Sequence, residues 1–181
     1  MDVHEAIQKR RSIRQYQDRP IPPDVLTRVL EAARRAPSWA NVQSARWIVV
    51  TDPQRRQELT AALSPRNPAT AAFAQAPVVL ALCFVKGQSG CYQGQPRTSL
   101  GDWGLFDAGL AAANLTLAAT AEGLGTVHVG ATNIETAARI LQIPDSVQFI
   151  EFIPLGYPAD EGRATPRKEL GEIISREKYG S

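Results

Sequence analysis

The stretch DWGLFDAGLAAANLTLAATAEGLG, residues 102–125, constrains this chain more than any other. Ala, Leu and Gly recur nearly all round its helical wheel, so no side of the helix asks for water. The pattern predicts the longest helix of the chain, buried through the middle of the molecule, with Gly123 placed to end it. Its small side chains let other helices approach closely. The remaining elements must therefore be arranged around it. At 181 residues with 44% hydrophobic content, a single domain spanning 1–181 is expected, with a core that needs neither disulfides nor a metal.

The flanking segments are shorter. In DVHEAIQKRR, Asp2 and Glu5 have capping-box spacing, and Val3, Ala6 and Ile7 form one apolar stripe of a helix ending near Arg10. In IPPDVLTRVLEAARRAP the prolines suit a helix start, Val25, Leu26, Val29, Leu30 and Ala33 follow helical spacing, and Pro37 stops the pattern. DPQRRQELTAAL reads as helix, and so does NIETAARILQI with Asn133 as N-cap. RWIVV reads as a buried strand, as do PVVLALCFV, TVHVG, and VQFIEFIPLGYP ending at Gly156 and Pro158. Residues 86–101, KGQSGCYQGQPRTSLG, have neither period and read as a loop, and the charged tail GRATPRKELGEIISREKYGS offers at most a short helix at 169–175. Four strands dispersed among five or six helices give an α+β domain or a three-layer α/β/α one, without regular βαβ winding.

Composition narrows the function. Twenty Lys and Arg against 18 Asp and Glu leave a net charge of +2, far from the field of a nucleic-acid binder. No N-terminal stretch has the form of a signal peptide, and the apolar run 77–85 is too short to span a bilayer, so a cytoplasmic protein with no membrane contact is expected. Cys83 in that run reads as buried filler, Cys91 lies in a polar loop, and with His4 and His128 as the two histidines no metal site is expected. Neither a P-loop, nor a GxGxxG after a strand, nor a nucleophile elbow is present.

What remains is the basic block RRSIR. Arg10 and Arg11 at a helix C-terminus can simply complement the macrodipole. They can also form a phosphate fork, because guanidinium binds phosphate oxygens in bidentate fashion and the Ser12 hydroxyl adds a short neutral hydrogen bond. Arg14 would then lie further along the ligand.

RRSIRQY, PSWANVQ at 37–43, EGLGT at 122–126, VHVG, LGYP and TPRKEL occur in the order, and over nearly the whole chain, in which they resemble blocks of the nitroreductase family of FMN-dependent oxidoreductases. The resemblance implies an α+β, three-layer α/β/α fold with a mostly antiparallel central sheet, in an interlocked homodimer whose two FMN sites lie between the subunits. It implies that Arg10, Arg11, Ser12 and Arg14, with Arg167 and Lys168, hold the phosphate end of FMN, Arg14 near the N1 and C2 carbonyl edge of the ring. It brings Pro37, Ser38 and Asn41 to the flavin of the partner subunit. It places Gly130, with His128 and Val129 alongside, by flavin N5. Trp39 reads equally as a flavin neighbour or an interface plug, and His128 equally as a packing residue or a cofactor contact. Tyr92 and Trp103 read as packing.

The chemistry so implied belongs to flavin N5 and needs no catalytic side chain. NAD(P)H would reduce the flavin, and a nitroaromatic, quinone or similar small acceptor would reoxidise it by a ping-pong cycle. Residues 86–101 match no block, so dehalogenation, consumption of the flavin itself, or a non-catalytic flavin- or phosphate-binding module stand as alternatives.

Overall fold

The structure, a computed structural model, describes residues 1–180. Its central strand is β2 (Val78–Val85), buried along its length except for half-buried Val85. Val79, Ala81 and Cys83 enter one core while Val78, Leu80 and Leu82 enter another, which is why its sequence is apolar throughout instead of alternating. On one side β2 pairs with β1 (Ala45–Val50) and on the other with β6 (Val147–Gly156), which also pairs with the two-residue β5 (Gly125–Thr126). Every pairing is antiparallel, in the order β1-β2-β6-β5. Leu82 lies opposite Glu151 but Cys83 opposite Phe149, a bulge that leaves Ile150 unpaired. Phe149 and Phe152, three positions apart, thereby share one core, their ring centroids 4.6 Å apart.

Helices cover both faces. Leu59 of α3 (Pro53–Leu59), Phe73 of α4 (Thr70–Gln75) and Ala137 of α6 (Ile134–Leu141) pack on one, where Phe73 meets Phe152 edge-on at 5.4 Å. Val29 and Ala33 of α2 (Pro23–Arg34) join Ala108, Ala112, Leu115 and Ala119 of α5 (Gly104–Ala121) on the other. The three-layer α+β reading is thus the observed one. Arg56 of α3 is 8% exposed and donates through one guanidinium nitrogen to the carbonyls of Phe73, Ala74 and Ala76, closing the C-terminus of α4.

Several local expectations are met and several corrected. Asp2 caps α1 (Val3–Lys9) by accepting the Glu5 N–H, but the Glu5 carboxylate pairs with Lys9 at 2.6 Å instead of completing a capping box. Asn133 caps α6, and Gly123, at φ 76°, ends α5. The stripe on α1 buries Ala6 alone, with Val3 and Ile7 exposed, and α5 leaves Leu105 and Phe106 exposed at its start instead of burying every side. The expected buried strand RWIVV is the sheet's edge, where β1 has one neighbour and buries Val50 alone. TVHVG forms a ladder only at its start and then a single bridge, Val129 to Phe152. Residues 86–101 are not wholly loop: Cys91–Tyr92 (β3) pairs with Gln95–Pro96 (β4) across Gln93 and Gly94, both at positive φ, a hairpin geometry. Helix α4 was not anticipated. The tail carries the expected short helix as α7 (Leu170–Ile173), and residues 163–180 are exposed throughout.

Candidate functional site

The site starts from the chain that leaves α1. Ser12 bridges Thr126 in parallel and Ile13 N–H donates to the Thr126 carbonyl at 2.9 Å, so the basic block lies beside the start of the VHVG segment. Gly125 permits this approach, since a Cβ there would fall 2.5 Å from the Ile13 side chain. The buried Tyr16 hydroxyl sits between the carbonyls of Ile13 and Pro154, at 2.8 and 3.1 Å. The Tyr16–Pro158 bridge and the Ala159 N–H on the Gln15 carbonyl bring the returning chain alongside. Gly162, at φ 67°, then turns the tail across residues 11–13, where a Cβ would lie 2.8 Å from Ile13 and 3.0 Å from Arg11.

The product is a recess of about 470 Å³ walled by Arg10, Arg11, Ser12, Arg14, Arg163, Thr165 and Arg167, with Ile7, Gln8 and Ala164. No carboxylate is among its lining residues. Burial first, then the neighbouring guanidiniums of Arg167 and Arg11, holds Arg10 below the usual arginine range. Arg11 donates to the Gln8 carbonyl at 2.5 Å, Arg14 to the Ser12 carbonyl at 3.2 Å, and Arg167 to the Thr165 hydroxyl at 2.8 Å. These neutral partners orient the cations without neutralising them. A cluster of guanidiniums with two hydroxyls and no counter-charge is chemically suited to a doubly charged phosphate. Lys168 is exposed and is not among the residues that line the recess.

Pro37, Ser38, Trp39 and Asn41 form a second group. The Ser38 hydroxyl accepts the Gln43 N–H at 2.9 Å, and within the loop so closed Ala40, Asn41 and Gln43 itself take left-handed backbone, at φ 42°, 56° and 52°. Asp107 of α5, 2% exposed, holds this loop through the Trp39 N–H at 3.0 Å and the Ser44 hydroxyl at 3.4 Å, and accepts the Ser89 hydroxyl at 2.6 Å. The Trp39 ring lies 5.4 Å from that of Trp103, which meets Phe106 at 5.3 Å. Pro37, Ser38 and Asp107 also line a small cavity of about 170 Å³ that shares no residue with the arginine recess.

The third group is 128–130. His128 Nδ1 is 2.8 Å from a Glu151 carboxylate oxygen, with the imidazole partly exposed and the carboxylate largely covered. Val129 is buried, whereas Gly130 is exposed, has open space where a Cβ would project, and directs an N–H that finds no acceptor among the described residues. The structure brings Arg10, Arg11, Arg14 and Arg167 to one recess without Lys168, and adds Arg163, Asp107 and Glu151, which the sequence did not single out. A lone acid in an otherwise apolar helix or strand was the available signal for the last two. Among the described residues no group of three or more His, Cys, Asp or Glu is placed to hold a metal ion, and no helix is long and apolar enough to cross a membrane.

Comparison with known proteins gives a consistent result. The model of the nitroreductase family matches residues 7–70 and 61–157. A protein of Bacillus subtilis named FMN reductase [NAD(P)H] is 30% identical over 189 residues, covering 98% of this chain and 74% of its own. One of Thermus thermophilus named NADH dehydrogenase is 31% identical over 199 residues, covering 96% and 95%. A crystal structure of a nitroreductase family protein from Clostridium difficile superposes with a TM-score of 0.84 at 26% identity, covering 98% of this chain and 99% of that one.

Proposed function

This chain belongs to the nitroreductase family and is an oxidoreductase, and from that premise we propose that it binds FMN in the arginine recess and passes electrons from NAD(P)H to nitroaromatic, quinone or similar conjugated acceptors in a ping-pong cycle. Held in this recess, FMN would supply the redox chemistry, the exchange of hydride and electrons between a nicotinamide and an acceptor. The observation that carries the reading is the convergence of Arg10, Arg11, Arg14, Arg163 and Arg167 on one recess lined by no carboxylate. Their charge and the Ser12 and Thr165 hydroxyls suit the phosphate, and in this reading Lys168, next in sequence to Arg167, assists them. In this reading the open Gly130 N–H donates to a ring nitrogen of the flavin, with Val129 and His128 beside it. In this reading Arg14, at the recess wall, favours negative charge developing on the ring.

The same reading makes the protein a homodimer in which Pro37, Ser38, Trp39 and Asn41 reach the flavin of the partner subunit. Exposure of Val3, Ile7, Leu105, Phe106, Leu170, Ile173 and Ile174 supports it, because a lone chain would leave all seven in water. The test compares FMN with riboflavin, which lacks only the phosphate. Arg10→Ala and Arg167→Ala should each weaken FMN roughly 10- to 100-fold, the worth of a charge-assisted bond, and leave riboflavin nearly unchanged. Equal loss of both ligands would overturn the assignment.

A further inference from the structure

Asp107 has no role in the proposed FMN recess, yet it is the one buried carboxylate side chain among the described residues, 2% exposed. A carboxylate taken out of water must be met by donors, and its three come from two different loops. Trp39 N–H and the Ser44 hydroxyl belong to the 37–44 loop, whereas the Ser89 hydroxyl, the shortest contact at 2.6 Å, belongs to the 86–103 loop. No lysine, arginine or histidine among the described residues lies within 4.0 Å to replace them.

The 86–103 loop is braced internally. Gly87 N–H donates to the Asp102 carboxylate at 2.6 Å, Trp103 N–H to the Ser89 carbonyl at 3.0 Å, and the Trp103 indole to the Thr98 hydroxyl at 3.0 Å. Gly90 packs so tightly on the Trp103 ring that a Cβ would lie 2.4 Å from it. The 37–44 loop, in contrast, holds three left-handed residues that are not glycine, a conformation that persists only where its surroundings enforce it. Asp107 at Trp39 and Ser38 at Gln43 supply that enforcement. The Trp39–Trp103 ring contact joins the same two loops a second time.

We infer that Asp107 is a positioning residue that couples the two loops, so that a shift of the 86–103 loop is transmitted to the backbone of residues 38–43. The inference rests on the proposed function only in taking the 37–44 loop, set next to the 86–103 loop by the Trp39–Trp103 ring contact, to face the flavin. The coupling itself belongs to the protein without any ligand.

It is tested first by amide hydrogen exchange on the ligand-free, full-length chain. Ser89→Ala removes one hydroxyl from one loop. Exchange at the Trp39 N–H and along 38–43 should then rise roughly tenfold or more, the factor one charged hydrogen bond represents, while β2 and the interior of α5 stay protected. A rise confined to 86–103 overturns the coupling. Asp107→Asn keeps one oxygen for the Trp39 N–H but cannot accept both hydroxyls, and should loosen both loops. Asp107→Ala should loosen them further, and if it fails to fold the other two variants decide the matter. A second readout uses protein loaded with FMN. Ser89→Ala should raise the KM for p-benzoquinone several-fold while the rate of flavin reduction by NAD(P)H is unchanged, and equal losses in both half-reactions would overturn the positioning role. Failure to bind FMN at all would defeat the proposed function and leave the exchange result standing.

Discussion

Gln142, just past α6, takes left-handed backbone at φ 53°, a position where glycine carries no Cβ penalty. Gln142→Gly should therefore stabilise the protein by about 0.5–1 kcal/mol in urea unfolding, since the side chain contributes no hydrogen bond there. Cys83 shows the opposite relation of residue to environment. Burial pushes its thiol from 9.0 up to about 12, so the folded chain disfavours the thiolate. The associated stability is intact below pH 9 and is lost as pH rises from 9 towards 12; Tyr16, raised by burial as well, adds to that loss. Urea midpoints should hold from pH 7 to 9 and fall beyond it, and Cys83→Ala should flatten the early part of the fall. Arg14 lies at the recess wall, and Arg14→Met should lower the two-electron potential of bound FMN more than it lowers FMN affinity. Potentiometric titration beside a binding isotherm checks this. An unchanged potential with strongly weakened binding would make Arg14 a phosphate ligand. At this scale caps were legible because Asp2 and Asn133 act on amides three residues away. Asp107 was not, because its partners lie 18 to 68 residues distant.

Among the elements, α4 depends on a side chain from elsewhere. It spans six residues with no side-chain N-cap, and its C-terminal carbonyls are met by Arg56, whose Nε is left without a partner. Arg56→Met should keep the volume but strand those carbonyls, costing about 2–4 kcal/mol in global stability, and exchange should accelerate first at 70–76. No local pattern announces such a helix, and so it escaped notice in the sequence. β2 was legible for the contrary reason, being flanked on both faces and apolar throughout. RWIVV is also largely apolar beyond Arg46, yet its place at the margin of the sheet is decided by pairing order, which composition does not encode. TVHVG was misread as a continuous strand because, beyond Thr126, Val129 makes one bridge to Phe152 and no ladder.

For the molecule as a whole, the three layers followed from element order, whereas the proposed dimer draws its structural support from the apolar side chains that the single chain leaves uncovered. Sedimentation should find a dimer. Truncation after Lys168 removes Leu170, Ile173 and Ile174 and should lower dimer stability and FMN retention together, while a flavin-loaded monomer would defeat the dimer and the cross-subunit role of Ser38 and Asn41. The arginine recess has a further property that follows from its two sources, residues 10–14 and 163–167. During synthesis the first arginines leave the ribosome about 150 residues before the last, and β6, the partner of β2, emerges just ahead of those last arginines. The nascent chain therefore has no complete anion site, and its like charges are first forced together when the tail arrives. Phosphate or FMN present at that moment would offset the repulsion, so the last stage of maturation should quicken with either anion, whereas riboflavin, which carries no phosphate, should leave it unchanged.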